Sequence, residues 1–148
     1  MAKRILVPLD QSALAESVIP LVGDAARGAA ATVRLLHVAP MPQNRVDDEG
    51  RVVAYSDQEM ARLEAAALDY LGGLGLGLSG VPVEYAVRFG EPKQEILVEA
   101  EDWDADLIAV TTAGRSGLSR TVLGSVAEHV FKKSDVPVVL FHPRRSRD

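Results

Sequence analysis

The chain has 148 residues, 47% of them hydrophobic and 25% charged, and carries a formal net charge of -5. That is an ordinary globular composition of single-domain length, which excludes a disordered or fibrous chain. The acidic balance argues against a nucleic-acid binder, which needs a cationic face. Cysteine is absent, so there are no disulfides, thiolate metal ligands or thiol nucleophiles, and the cytoplasm is the expected compartment. The basic start Met1-Ala-Lys-Arg leads into an apolar run that Asp10 ends too early for a signal peptide, and no segment has the length of a membrane span.

Arg4 to Leu9 is a short, apolar, β-branched run ending in Asp10, the pattern of a strand buried on both faces. From Ser12 to Arg27, Leu14, Val18, Leu21, Val22 and Ala25 fall on one face of a helix that Pro20 should kink. Thr32 to Val38 is a second buried strand, stopped by Pro40 and Pro42. Residues 39–56 form a long acidic connector containing Asp47, Asp48 and Glu49, either a lid over a ligand or a mobile loop. Asp57 is placed to cap a second helix with Met60, Leu63, Ala67, Leu71 and Leu74 on its inner face.

Val81 to Arg88 forms a third strand, and Pro82 puts it at a sheet edge. Gly90 and Pro92 open a third helix with Ile96, Leu97 and Ala100 inward. Residues 106–112 are a fourth strand, Leu123 to Lys132 a fourth helix and Val136 to Phe141 a fifth strand. This alternation predicts one α/β domain over residues 1–148, a doubly wound parallel sheet with helices on both faces. Ligands in such sheets bind beyond the carboxyl ends of the strands where the order reverses, so the loops after strands one, two and four are the candidates.

Two glycine-rich segments compete for that role. Gly75-Leu-Gly-Leu-Ser-Gly80 has dinucleotide-loop spacing, but it follows a helix and leads into a strand, the reverse of what phosphate binding at a helix start requires. Thr111 to Ser125 instead leaves a strand and enters a helix at the ligand end. Gly114 and Gly117 permit positive φ and can offer amides to an anion, Arg115 adds a charge and Ser125 a hydroxyl. A simple turn with a helix cap explains the same residues equally well.

Asp10 can accept from a ribose or base, hold Mg²⁺ through water, or cap the first helix. His37, within an apolar strand, reads as a hydrogen-bonded structural histidine. His129 and His142 have no metal-site spacing. No nucleophile with an adjacent base and no phosphate-loop lysine is evident, so dedicated catalysis is not expected, although slow hydrolysis of a bound nucleotide is open.

Nearly the whole chain resembles the universal stress protein family. The resemblance is carried by Ile5-Leu-Val-Pro-Leu-Asp10 with Ser12, Leu36-His-Val38, Gly90-x-Pro92, Ala105-Asp-Leu-Ile108, Gly124-Ser-Val-Ala-Glu128 and Val136-Pro-Val138. It is carried above all by a loop in which a glycine, two residues, a second glycine, nine residues and a Gly-Ser pair follow strand four, with Gly114 as second glycine and Gly124-Ser125 as the pair. The resemblance implies a five-stranded sheet in the order 3-2-1-4-5 and a homodimer. In the ATP-binding branch it also implies a bound adenine nucleotide, ATP or AMP, with Mg²⁺ a candidate companion. By position, Pro8, Leu9 and Asp10 would line the adenosine side, Val38 the base, and Gly114, Gly124, Ser125 and Val126 the ribose and phosphates. The apolar fifth strand, Val136 to Phe141, is the expected dimer edge. Thr111 departs from the pattern, standing in the first-glycine place, and Ala113 stands where histidine is common. A positive φ at Thr111 would strain a β-branched residue, and a close ligand approach there would crowd its side chain. The implied role is a nucleotide-binding sensor or regulator of the stress response. The alternatives are a nucleotide-free dimer acting through protein contacts and a weak ATPase.

Overall fold

Short β-branched runs that alternate with helical stripes are satisfied only when the strands share one sheet and the helices cover it. The computed structural model, which describes residues 3–112 and 124–142, has this arrangement. The elements in chain order are β1 (Arg4–Pro8), α1 (Ala13–Glu16), α2 (Ile19–Ala29), β2 (Thr32–Ala39), β3 (Arg45–Val46), β4 (Val52–Ala54), α3 (Ser56–Gly75), β5 (Val83–Phe89), α4 (Pro92–Asp102), β6 (Leu107–Thr111), α5 (Ser125–Lys133) and β7 (Val138–Phe141). Five strands form one sheet, ordered β5-β2-β1-β6-β7, with every pairing parallel. Numbered as the expected strands, this is 3-2-1-4-5, and the order reverses between β1 and β6.

Side-chain alternation along the strands builds a separate core on each face. Ile5, Val7, Leu9, Val33, Leu35 and Ala109 pack with Val18, Val22, Ala26 and Leu71, so α2 and α3 cover one face. Leu6, Leu36, Ile108 and Val110 pack with Ile96, Ala100, Trp103, Ala127 and Val130, placing α4 and α5 on the other. The strand interiors are therefore apolar at consecutive positions, the signature from which they were recognised.

Three expectations need correction. The helix expected from Ser12 to Arg27 is two helices, because Pro20 restarts it within the first turn of α2. Its buried stripe is consequently Val18, Ile19, Val22, Gly23 and Ala26, while Leu21 is 53% exposed and Ala25 faces solvent; the side chain of Leu14 lies outside the described set. Asp57 does not cap α3. It lies inside the first turn, and the N–H of Ser56 instead donates to Asn44 Oδ1 at 2.7 Å. Residues 39–56 contain the antiparallel β3–β4 pair, turned by Asp47, whose Oδ1 accepts from the N–H groups of Glu49 and Arg51. The acidic run is thus the tip of a hairpin.

β5 lies at the sheet edge as Pro82 implied. Gly90 then turns the chain into α4 at φ +135°, a value that side-chain-bearing residues avoid, and a Cβ there would press on Glu95. No helix among the described residues is long and apolar enough to cross a membrane.

Candidate functional site

The ends of β1, β2 and β6 converge where the strand order reverses, and they enclose a cavity of about 330 Å³, within the usual range for small-molecule sites. Of the ten residues singled out beforehand, it brings together Pro8, Leu9, Asp10, Val38, Thr111, Gly124, Ser125 and Val126. Gly114 and Arg115 lie outside the described residues. None of the described side chains among residues 40–56 lines the cavity. Leu36, Ile96, Val110 and Ala127 supply apolar walls, while Asp10, His37, Thr112 and Ser125 supply polar groups.

Local hydrogen bonding holds the β1 corner. Leu9 N–H donates to Leu36 O at 2.8 Å, Asp10 Oδ1 accepts from Ser12 N–H, and Ser12 Oγ accepts from Ala15 N–H, starting α1. Between Asp10 and Ser12, Gln11 adopts φ +67°. A left-handed residue that is not glycine carries local strain, here at the rim of the cavity. His37 Nδ1 lies 2.9 Å from the Leu9 carbonyl, which only accepts, so Nδ1 carries the proton. His37 is therefore both the hydrogen-bonded strand residue expected and a wall of the cavity.

At the opposite wall, Thr111 ends β6 with strand geometry, paired with Phe141 and without positive φ. A threonine in the first-glycine place thus costs no backbone strain, and only its side chain bears on the ligand space. Thr112 is buried, with Oγ1 3.1 Å from His142 Nδ1, and its carbonyl accepts from Gly124 N–H. The residues flanking 113–123 are tied together at their base. Gly124 precedes α5, among the described residues no side chain caps this helix, and Ser125, Val126 and Ala127 of its first turn line the cavity.

The Gly75–Gly80 segment lies elsewhere, closing α3 before β5. The amides of Leu76, Gly77 and Leu78 are used within the chain, on the carbonyls of Gly73, Leu74 and Gly75. Among the described residues no cluster of three or more histidines and carboxylates is placed to hold a metal.

Sequence reasoning missed the contribution of Pro92, Ile96 and Thr112. The first two come from a helix that the strand-end rule does not consider, although Gly90-x-Pro92 signalled that the start of α4 matters. Thr112 lies one residue past β6, at the base of a loop judged by its glycines.

Behind the site, Tyr70 of α3 donates to Glu16 Oε2 at 3.0 Å and so ties α3 to α1. Burial first, then the hydrogen bond and charge of Glu16 and the charge of Asp10, raise the Tyr70 hydroxyl well above the ordinary tyrosine range. An acid whose folded pKa is raised favours folding while neutral. The contribution is complete below the unfolded value near 10 and is lost as pH climbs from there toward the folded value. Tyr70→Phe should therefore be less stable than the parent at pH 8, with the gap in Tm narrowing above pH 10. A gap that stays constant to pH 11 would refute the linkage.

A doubly wound α/β protein with a cavity at its switch point is the class that fold and site define. The chain belongs to the universal stress protein family, whose model matches residues 1–142. It is 29% identical to universal stress protein MJ0577 of Methanocaldococcus jannaschii over 99% of this chain and 98% of that one. The solved structure of MJ0577 superposes with a TM-score of 0.81 at 30% identity, covering 99% of both chains. A second relative from that organism, universal stress protein MJ0531, is 44% identical over 61 residues, 41% of this chain and 36% of the relative's length. The universal stress protein of Archaeoglobus fulgidus solved in complex with dAMP shares the fold, with a TM-score of 0.62 and 21% identity over 95% of this chain and 97% of that one.

Proposed function

We propose that the chain binds an adenine nucleotide, ATP or AMP, in the switch-point cavity and serves as a cytoplasmic sensor or regulator of the stress response. The observation that carries this reading is the joining, in one cavity, of the β1 corner (Pro8, Leu9, Asp10), Val38 at the end of β2 and the start of α5 at Gly124–Val126. Leu36, Val38 and Ile96 suit a base, Asp10 a ribose hydroxyl or a water of Mg²⁺, and the α5 amides a phosphate. The dAMP complex of the Archaeoglobus relative supports the same ligand chemistry.

The reading extends to a homodimer. β7 is the outermost strand beyond β6, and Val139 on it and Phe131 on α5 are 38% and 53% exposed. Pairing β7 with its two-fold mate would cover that edge.

The test is a thermal shift with ATP, ADP, AMP and GTP, with and without Mg²⁺, beside mass spectrometry of the purified protein for carried nucleotide. Ligand at a hundred times its Kd stabilises by about 2.7 kcal/mol, a rise in Tm of roughly 5 to 10 °C for a chain of this size. The rise should be confined to adenine nucleotides and lost in Gly124→Val. Gly124 sits at φ -64°, ψ 152°, which any residue adopts, so the backbone tolerates valine and the loss reports on the site. Absence of both a shift and a carried nucleotide would favour the rival reading, a nucleotide-free dimer in which the Thr111 side chain fills the ligand space.

A further inference from the structure

Beside the cavity runs a second, open cleft of about 300 Å³, lined by Lys93, Ser125, Glu128, His129, Lys132 and Lys133. Ser125 is a wall of both, and Pro92, which lines the cavity, adjoins Lys93 in the first turn of α4. The cleft therefore continues the cavity across the starts of α4 and α5. Among the described residues no side chain caps either helix start, and both present the positive end of the helix dipole to the same space.

The charges of the cleft favour an anion, against the sign of the whole chain. Its one carboxylate, Glu128, is engaged by Lys132 at 2.7 Å. The hydrogen bond and charge of Lys132, and more weakly the charge of Lys93, hold the Glu128 carboxyl below its ordinary range. Lys93 is partly buried and forms no ion pair among the described residues.

We infer that this cleft receives the phosphate end of the nucleotide whose base occupies the cavity, and that Lys93 makes the site prefer nucleoside di- and triphosphates to the monophosphate. The inference rests on the nucleotide reading above. A base held by Leu36, Val38 and Ile96 leaves the phosphate chain to leave the cavity past Ser125. The first phosphate meets the α5 amides, and each further one moves toward Lys93. AMP, with its single phosphate, would end at the α5 amides. A separate phosphorylated partner would have no reason to share Ser125 with an apolar cavity.

Calorimetric titration of adenosine, AMP, ADP and ATP into the parent chain, Lys93→Gln and Lys93→Arg tests this at fixed Mg²⁺. The parent should bind ATP more tightly than AMP. Glutamine should lower the ratio of ATP to AMP affinity by about five- to tenfold, and arginine should largely restore it. The ATP affinity should also fall more steeply with salt than the AMP affinity. If AMP and ATP bind the parent but glutamine leaves their ratio unchanged, the role of Lys93 is overturned while the nucleotide reading stands. If neither adenosine nor any nucleotide binds, both are overturned.

Discussion

Glu99→Ala should lower the unfolding free energy by about 3 kcal/mol, the largest effect expected from any single charged side chain in the fold. Glu99 is 5% exposed on the inner side of α4 and accepts from Arg34 at 2.5 Å and from Arg88 at 2.8 Å. Both arginines have further partners. Arg34 reaches Glu84 and lies over the Trp103 ring at 4.6 Å, and Arg88 reaches Glu95 at 2.9 Å. Burial works against the Arg34 charge, yet the hydrogen bonds it donates to Glu84 and Glu99 raise its pKa above the ordinary value; those to Glu95 and Glu99 do the same for Arg88. Alanine would leave two arginines, each about three-quarters covered, facing a void between α4 and the sheet. At roughly 2 to 4 °C per kcal/mol for a chain of this size, Tm should fall by about 6 to 12 °C. Glu99→Gln keeps the shape and one acceptor and should lose about half as much. A calorimetric scan in which Glu99→Ala costs under about 1 kcal/mol would mean that solvent already screens the network, as at exposed pairs.

The second large effect is expected at Leu36, which is fully buried in the core beneath α4 and α5 and also forms a wall of the cavity. Leu36→Ala should cost about 2 to 5 kcal/mol in a denaturant titration, as removal of a fully buried leucine does. The Leu36 carbonyl holds Leu9 N–H whatever the side chain, so the β1 corner keeps its anchor. The nucleotide binding proposed for the cavity should accordingly survive below Tm, weakened by the loss of apolar contact. A variant that folds with parental stability would show that the space collapses around alanine.

What the sequence disclosed, and what it hid, follows from the range of each interaction. Strand positions such as Ile5–Val7 and Leu35–Leu36 were legible because a sheet covered on both faces demands unbroken apolar runs, and alternation with helices then dictated parallel pairing. The cavity lining was legible at Pro8–Asp10 and Gly124–Val126 because a short motif spans each. Misreadings arose where a distant residue decides. Asn44 takes the capping role assigned to Asp57 from twelve residues away. Pro20 shifts the buried stripe of α2 by beginning a new helix. The hairpin of β3 and β4 has too few residues for alternation to register, and Glu99, a charge on the inward face of α4, is explained only by two arginines on β2 and β5.

The backbone hydrogen bond from Gly124 to Thr112 has a consequence for how such a site can diversify. With β6 and α5 fastened to each other at that point, Thr112 and Gly124 stay together whatever sequence joins them. Doubling the length of a closed loop costs only about 0.6 kcal/mol of entropy. Exchanges of sequence between those two ends can thus leave both cores and the strand order as they are.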